Sequence, residues 1–539
     1  METNCDYIPY SDTGFFSKII VDYLNNADAL KPFYKHPVSI EGIKAAIAER
    51  KKFQQPRTAL VSALKDQYVR MDLRIPTVRN IEALENENTF TVTTAHQPNI
   101  FTGPLYFIYK ILHTIKLASE LQQQLPDYKF VPVYYMGSED ADLDELGSVT
   151  IEGEKYTWNT DQTGAVGRMR VDKAFLALID KMDGQLSVHP HGKELIKLYK
   201  KHYQLNQTIQ QATLEIVNEL FGEYGLVIVV PDNAELKSLF HSVVEKELKE
   251  QFSHKAVAET IANFPEEYKV QAAGRELNLF YLIDDKRERI EIQNSKLLPP
   301  VVKEFKIQNL NLEFSADEII NELSTYSERF SANVILRGAF QETILPNVAF
   351  IGGGGEIAYW LELKKVFEAV NVPFPVLILR NSFAVINKNQ IATWKELGFD
   401  LKDLFKKEFD LMNQLVQQQS SNPVHLNGQM NKLEDFYSSV KDLAGNVDPT
   451  LAEHVTALEK QTLKRMMELE KKLLRAEKRK FTIEEGRLKK IKSQLFPNNS
   501  LQERVENFGS FYAKHGKEFI GEVLKSSQAL EQQFGMIEL

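Results

Sequence analysis

Five short apolar runs set the frame for this chain. Phe90–Ala95 (FTVTTA), Phe130–Tyr135 (FVPVYY), Leu226–Val230 (LVIVV), Asn333–Arg337 (NVILR) and Val376–Arg380 (VLILR) are brief, rich in β-branched and aromatic residues, and bounded by turn formers. Strands with one solvated face alternate polar and apolar residues; continuous apolar runs suit a parallel sheet covered on both faces. Ile111–Gln124 and Glu356–Val370 read as intervening helices. The alternation predicts an α/β fold with a doubly wound parallel sheet. Two stretches interrupt it and read as insertions. Val149–Trp158 with Gly167–Val171 forms one expected hairpin, followed by helical sequence over Lys173–Glu223. Leu277–Asp284 with Arg287–Gln293 forms the second, around the turn Asp284–Asp285–Lys286.

After Asn381 the strand signals fade and Lys, Glu, Gln and Leu dominate. Between Pro449 and Pro497, apolar residues recur at Leu451, Val455, Leu458, Met466, Leu469, Leu473 and Ala476, a heptad-like series with one stutter. The basic stretch Lys471–Lys492 reads as the solvated face of a long antiparallel coiled coil, or else as a contact surface for phosphates or an acidic partner. A length of 539 residues exceeds one compact core. The expected layout is a sheet domain over 1–148 and 224–384, an insertion over 149–223, a helical domain over 385–500 and a C-terminal helical segment over 501–539 packing back on the core.

Charge narrows the function classes. With 65 basic and 74 acidic residues the net charge is −9, which argues against a nucleic-acid-coating protein. The N-terminus lacks a basic region followed by an apolar run, and no run of about 18 apolar residues occurs, so neither a secretory signal nor a membrane span is expected. Cys5, the one cysteine, cannot close an intrachain disulfide, which fits a reducing cytoplasm.

Three constellations carry the candidate chemistry. In Thr93–Lys110 (TTAHQPNIFTGPLYFIYK) a strand runs into a polar loop. A helix is expected from Thr102–Gly103–Pro104, with Thr102 as N-cap and the proline in the first turn. His96 and Gln97 add donors and acceptors at a strand end beside free helix N–H groups, where open α/β sheets bind ligands and anions. In Tyr134–Leu146 (YYMGSEDADLDEL) the acidic residues Glu139, Asp140, Asp142, Asp144 and Glu145 crowd another strand end. An acidic helix start accounts for Asp144 and Glu145; Glu139 and Asp140 better suit binding an ammonium group, holding Mg²⁺ or acting as general base. In Val334–Lys365, Arg337 is expected to end a strand, with Gln341 following. The run Gly352, Gly353, Gly354 and Gly355 then precedes a helix opening with Glu356, and can offer backbone N–H groups to an anion. Tyr359 and Trp360 on that helix could stack a base or sugar, or simply fill the core. Metal-binding Cys/His spacings, a Gly-x-Ser-x-Gly elbow and the class I synthetase signatures are absent from the sequence.

The stretches HQPNIFTGPLYFIYK, VPVYYMGSEDADLDEL, ILPNVAFIGGGGEIAYWLELK, PFPVLILRNS and SLQERVENFGSFYAKHG, in that order, resemble the bacillithiol-biosynthesis cysteine-adding enzymes. The resemblance implies a Rossmann-like, nucleotidyltransferase-type core with connective insertions and a coiled-coil domain that forms a homodimer. It also implies condensation of L-cysteine with the amine of glucosaminyl-malate, with ATP consumed through an acyl-adenylate or acyl-phosphate and room for Mg²⁺. Many members carry Gln-Gln where this chain has His96–Gln97, and a His where it has Ala141. On this reading Asp140 or Asp142 positions the amine and takes its proton, with His96 assisting. Gln97, Thr102, Gly103, Glu139, Gln341, Glu356, Tyr359 and Trp360 bind substrate, Arg337 grips a carboxylate in bidentate fashion, and Gly352–Gly355 hold anionic groups. Two alternatives stand: a nucleotidyltransferase-type enzyme acting on another substrate, and a coiled-coil scaffold with a vestigial core.

Overall fold

The computed structural model describes residues 4–294, 303–422 and 425–539. The chain divides into two compact units, Met1–Ala384 with Ser500–Ile537, and Val385–Asn499 with Glu538–Leu539.

A five-stranded parallel sheet organises the first unit. Its spatial order is Val376–Leu379, Asn347–Gly352, Thr89–His96, Lys129–Met136, Val227–Val229. The chain starts in the middle, builds outward one way, and later returns to build the other way. The reversal falls between Thr89–His96 and Asn347–Gly352, where the connections depart to opposite faces and leave a crevice at the carboxyl ends. Burial on both faces explains the continuous apolar runs. Phe90, Val92, Phe130, Ala349, Ile351, Val376 and Ile378 cluster with Leu117 and Leu121 of the helix Tyr106–Gln124 and with Ile43 and Ile47 of the helix Ile40–Arg50. Each such side chain contributes about 1.5–3 kcal/mol when fully buried.

The threonines of FTVTTA are buried too, and need partners. Thr93 Oγ1 donates to Asn347 Oδ1 at 2.8 Å, and Asn347 Nδ2 donates to Glu342 Oε1 at 2.7 Å. Glu342 is in turn paired with the fully buried Arg50. The helix carrying Glu342 corrects one expectation. Asn333–Arg337 is not a strand: Asn333 Oδ1 accepts the Ile335 N–H at 2.9 Å and opens the helix Val334–Ile344. The strand lies further on, at Asn347–Gly352.

The expected first hairpin is also narrower. Ser148–Ile151 pairs with Glu154–Thr157, closed by Glu152 and Gly153 at positive φ, so it needs no third segment. Gly167–Val171 instead follows a short 3₁₀ turn at Val166–Arg168, and Arg170 bridges to Thr208. The second hairpin, Leu279–Ile283 with Lys286–Asn294, lies within a five-stranded antiparallel sheet. Its other strands are Lys303–Ile307, Leu312–Ser315 and Phe330–Ala332. Near the C-terminus, residues 533–537 pair antiparallel with Cys5–Pro9.

In the second unit, the helices Asn427–Val447 and Pro449–Lys478 are joined at Asp448. Tyr437 Oη meets Thr462 Oγ1 at 2.8 Å and Gly445 lies against Ala452, so the helices run antiparallel. Val455 is buried between them, whereas Leu451, Leu458, Leu469 and Leu473 stay 38–45 % exposed. The basic stretch Lys471–Lys492 crosses a 3₁₀ break at Arg479–Phe481. Among the described residues no helix is long and apolar enough to cross a membrane.

Candidate active site

A cleft of about 910 Å³ opens where the sheet reverses. One wall is the loop leaving Thr89–His96. Phe101, Thr102 and Gly103 in succession have positive φ (51°, 70° and 65°). For the two residues with side chains this stores about 1–3 kcal/mol each, so surrounding structure must impose it. Asn507 Nδ2 donates to both the Phe101 carbonyl (2.8 Å) and the Gly103 carbonyl (2.5 Å). The Phe101 ring is lodged among Phe175, Tyr199 and Tyr203, and a Cβ at Gly103 would stand 2.6 Å from Asn99 Cβ. The helix therefore starts at Tyr106 and Thr102 is not its cap; Thr102 and Gly103 shape the loop from behind the cleft wall.

His96 does line the cleft. Its ring stacks on Phe107 at 5.1 Å, and Nε2 has no hydrogen-bond partner among the described residues. Burial, then Lys110 and Arg380, holds it well below the usual histidine value of 6.5, so it is a neutral imidazole at pH 7. Lys110 donates to the Ala95 carbonyl at 2.8 Å and pairs with Glu356. Glu356 also accepts the Gly353 N–H at 2.8 Å.

The acidic strand end separates into distinct roles. Asp140 faces the cleft but is committed. Arg337 grips both its oxygens, through Nη1 at 3.0 Å and through Nη2, and the Gln97 side chain adds a hydrogen bond. Burial alone would raise the Asp140 carboxyl; Arg337 and then Arg287 outweigh it and hold it below the usual 3.8. Arg337 thus pairs with the protein's own carboxylate. Glu139 points away, to Lys237. Asp142 Oδ1 accepts the Glu145 N–H at 3.3 Å, capping the short helix Leu143–Leu146 outside the cleft wall. Glu145, assigned from sequence to a plain helix start, lines the cleft. Burial, then Asp142 and Asp140, raises its carboxyl above the usual 4.5, and no ion pair or hydrogen bond among the described residues engages that carboxylate.

The glycine run supplies the facing wall. Gly353, Gly354 and Gly355 line the cleft at the start of the helix Gly354–Leu361. Gly352 is set back, where a Cβ would meet the Phe350 ring at 2.8 Å. Tyr359 reaches the cleft; Trp360 stacks on Phe350 at 4.4 Å in the core. Gln341 is buried and donates to Glu342 at 3.0 Å, away from the cleft. Sequence reasoning missed Arg287 and Arg380, and missed Arg504 as a wall residue. Arg504 lies in the SLQERVENFGSFYAKHG stretch, so a signal existed; Arg287 sits in a hairpin with nothing local to mark it. Among the described residues no group of three or more His, Cys, Asp or Glu is arranged to hold a metal ion.

A parallel sheet that reverses direction of growth at a polar, glycine-edged cleft defines a Rossmann-like domain, here followed by an antiparallel helical coiled coil. Comparison with known families agrees. Residues 1–381 match "Bacillithiol biosynthesis BshC, N-terminal Rossmann-like domain", and residues 383–539 match "Bacillithiol biosynthesis BshC, C-terminal coiled-coil domain". The chain belongs to the BshC family of bacillithiol biosynthesis. Curated relatives carry the name "Putative cysteine ligase BshC". One from Flavobacterium johnsoniae is 40% identical over 541 residues, covering 100% of both chains. One from Christiangramia forsetii is 39% identical over 544 residues, covering 100% of this chain and 99% of its own. One from Bacillus cytotoxicus is 26% identical over 547 residues, covering 97% and 98%.

Proposed function

We propose that the chain is an amide-forming cysteine ligase that joins L-cysteine to the amine of glucosaminyl-malate, driven by ATP, to give bacillithiol. The observation that best supports this is the division of the cleft into proton-accepting and anion-holding groups. Glu145 and neutral His96 face it uncommitted to any cation, alongside Arg287, Arg380, Arg504 and the Gly353–Gly355 backbone.

Amide formation needs an amine that has lost its proton and a carboxylate whose oxygen can leave. An ammonium entering the cleft meets Glu145, solvent-exposed at the cleft edge, whose raised carboxyl makes it a somewhat stronger proton acceptor than an unperturbed glutamate. Asp140 serves differently from the base first expected: clamped by Arg337, it braces cations rather than taking protons. His96 offers Nε2 as a hydrogen-bond acceptor to orient the amine or a sugar hydroxyl. The start of the Gly354–Leu361 helix suits the phosphates of a nucleotide through its first backbone N–H groups; Lys110 and Arg380 beside it are already paired with Glu356 and Glu503. When bound, the nucleotide supplies the activation of the cysteine carboxyl group. Any Mg²⁺ would arrive on those phosphates, a mode that requires few protein ligands. The half-exposed leucines of the coiled coil suit a second copy of the chain, making the enzyme a homodimer.

Incubating the protein with glucosaminyl-malate, L-cysteine and ATP and following products by mass spectrometry tests the reading. Bacillithiol should accumulate only with all three. Pyrophosphate release without cysteine would point instead to a nucleotidyltransferase. No thermal stabilisation by any of the three, singly or together, would leave only a scaffold.

A further inference from the structure

In the corner of the cleft built by the antiparallel sheet, two guanidiniums, Arg287 and Arg337, meet one carboxylate, Asp140. Arg287, on the strand Lys286–Asn294, is nearly enclosed, its side chain 7 % exposed. Nε donates to Ser331 Oγ at 3.2 Å, and the guanidinium lies 3.9 Å over the Phe280 ring, so its position is fixed from two sides. Nη2 nevertheless finds no hydrogen-bond partner among the described residues. The nearest carboxylate oxygen, Asp140 Oδ1, is 3.9 Å away and already bound by Arg337. Two guanidiniums thus share one carboxylate, and Arg287 has no carboxylate oxygen within hydrogen-bond distance. A buried donor with a net charge costs stability unless something answers it.

We propose that Arg287 is a substrate-binding residue that receives one carboxylate of the acidic acceptor, with the Asp140–Arg337 pair as its brace. This deepens the ligase reading and rests on it for the acceptor's identity. A carboxylate can accept from the open Nη2 with one negative charge, whereas a phosphate brings nearly two against Asp140 and Glu145; the malate portion therefore belongs here and the nucleotide at the glycine turn. Burial lowers the Arg287 guanidinium from its usual value, with Asp140 and Glu139 opposing the shift and Arg337 adding to it.

The test uses the full-length protein and the variants Arg287→Met and Arg287→Lys, with L-malate, inorganic phosphate and ATP as separate probes in thermal-shift titrations. Methionine keeps the packing on Phe280 and removes the unpartnered Nη2 along with the bond to Ser331, so the ligand-free melting temperature should stay within a few degrees of wild type. Lysine keeps the charge and loses the planar fork. Both variants should bind malate about ten- to hundred-fold more weakly, the range for losing a hydrogen bond to a charged group, with ATP binding unchanged. Acceptor KM should rise more than kcat falls. Malate binding within two-fold of wild type in Arg287→Met overturns the proposal. So does an equal loss for ATP or phosphate, or a fall of several degrees in ligand-free stability, which would make Arg287 structural. Arg287-dependent malate binding without any bacillithiol formation would sink the ligase reading and leave this site standing; bacillithiol formation with unchanged acceptor KM in the variant would do the reverse.

Discussion

Residues of one chemical type, close together in the sequence, do quite different work here. Asp140, Asp142 and Glu145 share one acidic stretch, yet one is clamped by arginine, one caps a helix and one stands uncommitted in the cleft. Sequence could show that carboxylates crowd a strand end. It could not sort them, because their partners arrive from residues 287 and 337, far along the chain. The sorting has measurable consequences. If Glu145 takes the amine proton, kcat/KM should rise with pH along a limb centred above 4.5, and Glu145→Gln should abolish that limb with a loss of about 10²–10⁴-fold. An unchanged limb in the variant would remove Glu145 from that role. Asp140→Asn should act through stability. It strands Arg337 and Arg287 without an anion, at a cost of about 3–5 kcal/mol at neutral pH. The folded carboxyl titrates below its unfolded value of 3.8, so the wild-type advantage is complete above about pH 4 and is lost as pH falls through the folded value. Urea unfolding at pH 7 and in acid should show the two proteins converging; a gap that is constant with pH would contradict the clamp.

At the scale of elements, the sheet was largely legible because each strand buries both faces and so carries its own apolar signature. Asn333–Arg337 shows the limit. Three residues of β-branched and aliphatic character look alike in a strand and in a buried helix turn, and the asparagine that decides the matter acts as a cap. The Thr102 start failed for a related reason: the chain keeps positive φ through Phe101–Gly103 under the hold of Asn507, a contact no local pattern contains. The glycine run was read as the lead-in to a helix, without the strand Asn347–Gly352 that precedes it, and it allows a clean separation of folding from binding. A Cβ at Gly355 would meet nothing within 4 Å. Gly355→Ala should therefore keep or raise stability, by about 0.5–1 kcal/mol from helix propensity, while weakening nucleotide binding. Calorimetric unfolding beside ATP titration would show it, and unimpaired ATP binding would place the nucleotide elsewhere.

For the whole molecule, the division of labour between units can be tested from the helical side. Leu458 and Leu469 are 41% and 45% exposed, on a heptad-like stripe that the neighbouring helix leaves partly open. Leu458→Lys with Leu469→Lys should turn a dimer into a monomer in sedimentation velocity, with helix content by circular dichroism retained. Each leucine withdrawn from a packed interface forfeits about 1.5–3 kcal/mol. A wild-type chain that sediments as a monomer, or a dimer that survives both changes, would place any interface elsewhere. The stripe itself was readable from spacing alone, whereas its open side is a property only of the folded hairpin.

The brace at Asn507 also fixes an order of events. A ribosome delivers the loop Gln97–Gly103 early, and must then release the entire helical unit before Asn507 emerges to hold that loop in its left-handed path. Until that moment the strained backbone has the packing of Phe101 on Phe175, Tyr199 and Tyr203, but not the side chain that holds its Phe101 and Gly103 carbonyls. A nascent or prematurely terminated chain would thus carry every acidic and glycine-rich constellation of the N-terminal part and still lack a finished cleft. The wall is completed only once translation has passed Asn507, after the whole helical unit.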